Sequence, residues 1–178
     1  MSAAEALNHG MDVEARTDDA TDQYLTFVLA GEHYGVDILR VQEIRGWSQV
    51  THIPNTPEYI HGVLNLRGTI VPIVDLRMRF GIERAANSRT TVIVVLKLVQ
   101  GEQQRTIGLV VDAVSDVCNV GNSELKPAPD FGASAQTEFI SGMAAIDDRM
   151  VILLDVDRLF HSDELAVVDT AAGSRRSV

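Results

Sequence analysis

The chain is poor in the residues that usually announce chemistry or secretion. It has one cysteine in 178 residues, so no internal disulfide can form, and Cys118 has no histidine or aspartate at motif spacing. A small core thiol is the expectation there. The only lysines are Lys97 and Lys126, against a formal charge of -10. Binding a nucleic-acid backbone needs clustered cations, so no nucleic-acid partner is expected. The longest aliphatic run, Val92 to Leu96, is far too short to cross a bilayer as a helix. No basic segment followed by an apolar stretch opens the chain, and a cytosolic protein is expected. Phosphate-cradling glycine loops are missing too, because Gly62 and Gly68 stand outside any such frame. The five histidines, His9, His33, His52, His61 and His161, are scattered. None forms a nucleophile-base or metal motif, so no catalytic residue, metal or cofactor is expected.

What is present is an ordinary globular composition, 46% hydrophobic and 22% charged, with the charge unevenly spread. Residues 1–22 hold six acids, Glu5, Asp12, Glu14, Asp18, Asp19 and Asp22, against Arg16 alone. That segment reads as a solvated acidic tail. Residues 170–178 read as a frayed end.

The middle of the chain contains one unit twice. Ile60, Gly62, Ile70, Val71, Ile73, Val74, Asp75 and Phe80 recur 80 positions later as Ile140, Gly142, Met150, Val151, Leu153, Leu154, Asp155 and Phe160. Upstream the offset is 73, pairing Gly35 with Gly108, Val41 with Val114, Glu43 with Asp116 and Ile44 with Val117. The second unit therefore carries a seven-residue insertion between Asn119 and Phe139, where glycines and prolines cluster as they do in surface loops.

Local pattern predicts mostly strand. Leu25, Phe27 and Leu29 alternate with their neighbours, turn at Ala30-Gly31-Glu32 and resume at His33 to Val36. The second unit begins alike, with strands over Thr91 to Val99 and Thr106 to Val111. Asp37 can cap a short helical turn, and Arg67-Gly68 fits a tight hairpin turn. Pro72 donates no hydrogen bond, so its strand is expected to run along an edge or carry a bulge. Val156, Leu159, Phe160, Leu165 and Val168 fit a helical spacing, which predicts a terminal helix to residue 169. About five short strands per unit, without helix-strand alternation, favour an all-β fold of two small closed or nearly closed barrels. Their division is expected near residues 23–89 and 90–160. Single barrels this small have marginal cores, so the two should pack as one body.

Where the units differ, surface charge differs. Arg67 aligns with Asp147 and Glu43 with Asp116, so the first unit offers either a Glu43–Arg67 ion pair or two independent solvated charges. Asp75 and Asp155 recur after apolar strands. Helix capping explains them better than paired-carboxylate catalysis.

The run YGVDILRVQEIRG from Tyr34 to Gly46, IPNTP at 53–57, IHGVLNLRG at 60–68 and IVPIVDL at 70–76 closely resemble the CheW family of bacterial chemotaxis couplers. GLVVDAVSD at 108–116, KPAPDF at 126–131 and the stretch from Gly142 to Leu154 continue the resemblance, which spans roughly residues 23 to 170. It implies two five-stranded SH3-like barrels and a non-enzymatic adaptor. The partners it implies are the cytoplasmic tips of methyl-accepting chemoreceptors and the histidine kinase CheA, with recruitment to membrane-associated arrays through the receptors. By the same resemblance Val41, Glu43 and Arg67 are receptor-facing or organise that site, and Gly62 and Phe131 belong to kinase-binding surfaces. Beside each role stands a plainer one: Val41 as core, Gly62 as a strand bend and Phe131 as packing for its own loop. A kinase or a receiver-containing relative would need domains that 178 residues do not hold. Two rival readings are a small-molecule-binding or enzymatic β-barrel with a site between the lobes, and a bare oligomerisation module.

Overall fold

The computed structural model describes residues 21–83, 85–127 and 138–160. Ten strands carry the fold: β1 (Thr21–Leu29), β2 (Glu32–Asp37), β3 (Val41–Gly46), β4 (Ile60–Leu66), β5 (Thr69–Asp75), β6 (Val92–Gln100), β7 (Gln103–Val111), β8 (Ala113–Gly121), β9 (Ile140–Ile146) and β10 (Arg149–Leu154). Among the described residues a 3-10 turn (Ile38–Arg40) and two single-turn helices, α1 (Leu76–Arg79) and α2 (Val156–Leu159), accompany the strands. The predicted terminal helix beyond Phe160, the acidic tail through Ala20 and Phe131 lie outside the described residues.

The turns follow from local chemistry. Arg67 and Gly68 both take positive φ, 52° and 89°, the pair of conformations a two-residue hairpin needs. Asp147 and Asp148 do the same in the second unit at 50° and 63°, a conformation aspartate tolerates better than most side chains. Asp37 accepts a hydrogen bond from the Leu39 amide, Asp75 from Met78 and Asp155 from Asp157. The three aspartates thus act as N-terminal caps, as their sequence context suggested.

The strands assemble into two five-stranded sheets of SH3-like type, ordered β8-β1-β2-β10-β9 and β3-β6-β7-β5-β4. Neither sheet coincides with a repeat unit. The β1–β2 hairpin of the first unit inserts between β8 and β10 of the second, and the β6–β7 hairpin of the second inserts between β3 and β5 of the first. The division expected near residues 89 and 90 therefore describes the repeat and not the sheets. Hairpins form from near neighbours, but their place in a sheet is decided by distant strands.

Each insertion is sealed by a short parallel ladder, Val151–Leu153 against His33–Gly35 and Ile73–Asp75 against Gly108–Val110. Gly35 and Gly108, equivalent in the repeat, sit where those strands meet. A Cβ on Gly35 would lie 2.9 Å from Leu153 Cδ2, and one on Gly108 2.7 Å from Ile73 Cδ1. A side chain at either position would push the buried tips of Leu153 or Ile73 out of place.

Pro72 corrects one expectation, since β5 lies between β7 and β4 and is no edge. The ladder to β7 begins only at Ile73, so no bond to that neighbour is asked of Pro72. The bulge appears opposite, where the β4 register shifts between Ile60 and Gly62. In the other sheet Ile152 replaces the proline, and the parallel ladder runs through it to Val151.

A large core is shared by both sheets, with Phe27, Leu29 and Val36 packed together with Val74, Leu96, Leu98, Ile107 and Leu109. Each sheet adds a small cluster of its own, around Ile73, Ile93 and Val95 in one and around Val120, Val151 and Leu153 in the other. At roughly 1.5–3 kcal/mol per buried aliphatic side chain, most of the stabilising burial lies in the shared layer.

Candidate functional site

Burial alternates along β3: Val41, Glu43 and Arg45 are half-buried, whereas Gln42, Ile44 and Gly46 are exposed. β3 is the outermost strand of its sheet and pairs with β6 through a register shift between Val41 and Glu43. Val41 packs against the shared core, so the core role proposed for it holds whatever else it does. Ile44 remains 45% exposed.

Glu43 and Arg67 meet. Arg67 Nη2 donates to Glu43 Oε1 at 3.1 Å, which selects the ion pair over two independent charges. Arg67 projects from the β4–β5 turn with its side chain 76% exposed, while Glu43 is 26% exposed. The turn is held by Asn65, whose Oδ1 accepts the Gly68 amide at 2.8 Å.

Sequence reasoning missed a third member. Arg45 Nη1 lies 3.9 Å from the same Glu43 oxygen, and its Nε is enclosed with no hydrogen-bond partner. The repeat register held a signal for it, because the offset of 73 places Arg45 opposite Cys118. Glu43, Arg45 and Arg67 thus correspond to Asp116, Cys118 and Asp147. Burial, followed by the charges of Asp116, Asp147 and Glu124, pushes the Cys118 thiol pKa up. The equivalent face of the other sheet is therefore acidic.

Gly62 sits under a crossing segment. Thr51 and Val63 exchange two backbone bonds, 3.0 and 2.9 Å, and a Cβ on Gly62 would run into the Thr51 carbonyl. The strand-bend role is therefore real, and the glycine fixes the path of residues 47–53. Gly142 repeats the arrangement beneath Lys126, which bonds Met143.

Beside Gly62 opens a groove of about 760 Å³ lined by Trp47, Val50, His52, Pro57, His61 and Met78 among others. Trp47 and His61 meet edge to face at 5.1 Å. The described residues that line it all come from the first unit. Gly62 lies within β4 and Arg67 in the turn that follows it, with Glu43 across on β3, and Phe131, outside the described residues, cannot be placed beside them.

Among the described residues no three His, Cys, Asp or Glu side chains gather as metal ligands. No helix there is long and apolar enough to cross a membrane.

Comparison with known proteins gives a consistent answer. The family model described as a CheW-like domain matches residues 23–164. The chain is 47% identical over 152 residues to a chemotaxis protein CheW of Klebsiella aerogenes, covering 85% of this chain and 89% of that one. It is 37% identical over 142 residues to the CheW of Rhizobium meliloti, covering 80% and 89%. Among solved structures it resembles the scaffolding protein TtCheW from Thermoanaerobacter tengcongensis. The TM-score is 0.70 at 36% identity, covering 80% of this chain and 90% of that one.

Proposed function

Because this chain belongs to the CheW family, we propose that it is a non-enzymatic adaptor coupling chemoreceptor cytoplasmic tips to the histidine kinase CheA in chemosensory arrays. The observation that carries this reading is the similarity, along most of the chain, to relatives named for chemotaxis and to a solved scaffolding protein. The single acidic chain works in the cytoplasm and reaches the membrane only through receptors.

Val41, Glu43 and Arg67 form the receptor-facing site. Its geometry suits docking better than catalysis, combining an outer strand, an exposed Ile44 and an ion pair with one water-facing arginine. Gly62 and Phe131 serve the kinase. Gly62 acts through the path of residues 47–53, since the strand has no room for a side chain there. The CheW-like body covers residues 23–169, preceded by the acidic tail of residues 1–22.

An adaptor with two docking surfaces gains stability by multivalency, because each weak contact raises the effective concentration of the other partner. Charged groups at the rim set orientation more than affinity.

The direct test is CheA autophosphorylation in receptor-containing membranes from the same source, with and without this protein and with attractant. The expected result is receptor-dependent activation that attractant reverses. Arg67→Glu should abolish it with an unchanged circular dichroism spectrum. Normal coupling by that variant would remove Arg67 from the site, and no effect of the unaltered folded protein would remove the adaptor role.

A further inference from the structure

We propose that Arg45 is a third working residue of this site, holding the Glu43 carboxylate so that Arg67 can turn to a carboxylate on the docking partner. The inference rests on the receptor-facing reading of this face and names the chemistry it recognises.

The charges at the site do not balance. One carboxylate, Glu43, lies between two guanidinium groups, at 3.1 Å from Arg67 and 3.9 Å from Arg45. The closer arginine is also the freer one, with its side chain 76% exposed against 34% for Arg45. A pair so exposed is weak and screened by water and salt, so Arg67 loses little on leaving Glu43.

Arg45 is placed to take over. Its Nε is enclosed and donates to nothing, and an unpaired enclosed donor is unfavourable. A small swing of Glu43 toward β3's own arginine closes the 3.9 Å gap to hydrogen-bond length. Glu43 then remains neutralised while Arg67 presents its planar donor fork to an incoming carboxylate, which that fork fits in two-pronged fashion.

The other repeat makes the face selective. Glu43, Arg45 and Arg67 carry one net positive charge, whereas Asp116, Cys118 and Asp147 at the same register carry two negative charges. An acidic partner segment is attracted to one copy of the surface and repelled by its near-twin. This decides which end of the molecule docks even though the backbones are alike.

The experiment is co-sedimentation of the full chain with receptor-containing membranes from the same source, at low and high salt. The set is the unaltered protein, Arg45→Gln, Arg67→Gln, the double variant and Arg45→Lys. Loss of Arg67 should weaken binding about tenfold, less than truncating one member of a fully buried charge pair costs, because the Arg67 side chain is largely exposed. Arg45→Gln should weaken it about three- to tenfold, because Glu43 then retains Arg67. The double variant should bind no more weakly than Arg67→Gln alone, since both changes remove one interaction. Arg45→Lys should bind within about twofold of the unaltered chain, because Arg45 reaches Glu43 through one nitrogen and a single ammonium donor can close the same one-pronged contact.

Unaltered binding by Arg45→Gln, or effects that multiply in the double variant, would overturn the proposal while leaving the adaptor reading intact. If the glutamine variant melts early, Arg45→Lys carries the test, and a tenfold loss there overturns it. Failure of the unaltered protein to sediment with receptor membranes removes both readings together.

Discussion

Arg40 and Asp157 share a two-pronged ion pair, Nη1 to Oδ1 at 2.8 Å and Nη2 to Oδ2 at 2.7 Å, and a second pair with its charges reversed lies one position out of register, Asp112 falling next to Ala113, the counterpart of Arg40 under the offset of 73. Arg77, equivalent to Asp157 under the offset of 80, binds Asp112 through Nε at 2.9 Å and Nη2 at 2.6 Å. Asp112 also accepts the Ala30 amide at the β1–β2 turn, and Asp157 accepts the Val99 amide of β6. Each aspartate ties an inserted hairpin to the repeat unit that hosts the matching clasp. Reversal of sign means that two first units paired together would oppose Arg40 to Arg77, and two second units Asp112 to Asp157. Only unlike units fit.

Asp157→Ala is expected to cost about 2 kcal/mol, because it leaves the Val99 amide without its side-chain acceptor and Arg40 with the Lys97 carbonyl in place of a carboxylate, in a half-buried place. Asp157→Arg should cost more, since it sets two cations face to face. Urea denaturation of the two variants orders them. Equal losses would mean that the charge contributes nothing beyond the hydrogen bonds.

The Asp112 clasp predicts an acid limb. The hydrogen bond from Arg77, opposed by burial and helped by the Ala30 amide, holds the Asp112 carboxyl below its ordinary pKa. A carboxylate depressed in the folded state stabilises fully above its unfolded value, about 3.9, and that contribution fades as pH falls through the folded value. Asp112→Asn should therefore lower stability at neutral pH and flatten the decline below about pH 4. Melting curves between neutral pH and pH 2.5 check it, and a parallel decline in both proteins would clear Asp112.

Gly62→Ala should destabilise by about 2 kcal/mol, because the added carbon meets backbone at Thr51 and cannot be relieved by a rotamer change. The crossing segment must shift, and Trp47, the one tryptophan, reports it. A change in its fluorescence alongside weakened kinase binding supports an indirect role for Gly62. Weakened binding with an unchanged emission spectrum would instead make Gly62 itself a contact.

Cys118 should alkylate slowly near neutral pH, since burial and then the neighbouring acids keep the thiol protonated and the thiolate is the reactive form. Asp147→Asn should speed the reaction with iodoacetamide. No acceleration would show that burial alone sets the rate.

Much of this was legible in the chain because it depends on near neighbours. The Arg67-Gly68 turn, the Asp37, Asp75 and Asp155 caps and the two opening hairpins all follow from residues a few positions apart. The Glu43–Arg67 pair was visible only as one of two readings, and a distance of 3.1 Å was needed to choose between them. Strand exchange was not legible. A β1–β2 hairpin offers the same edges to β10 as to β5, and packing across the whole chain decides between them. Pro72 misled for a related reason, since its missing donor excludes one bond on one side and does not by itself place β5 at an edge. Arg45 was overlooked because an arginine beside a glutamate is commonplace until its counterpart, Cys118, shows how the two units diverged.

Hairpins traded between two like units are the architecture of a homodimer joined end to end. In a forebear with one unit per chain, the same trade would bind two identical subunits, and both outer faces would be copies of one another. Any substitution would then appear twice. Fusion into one chain lifts that constraint, because the former subunit boundary becomes interior and each face mutates alone. One copy is then free to become Glu43, Arg45 and Arg67 while the other becomes Asp116, Cys118 and Asp147. A symmetric body thereby acquires a front and a back.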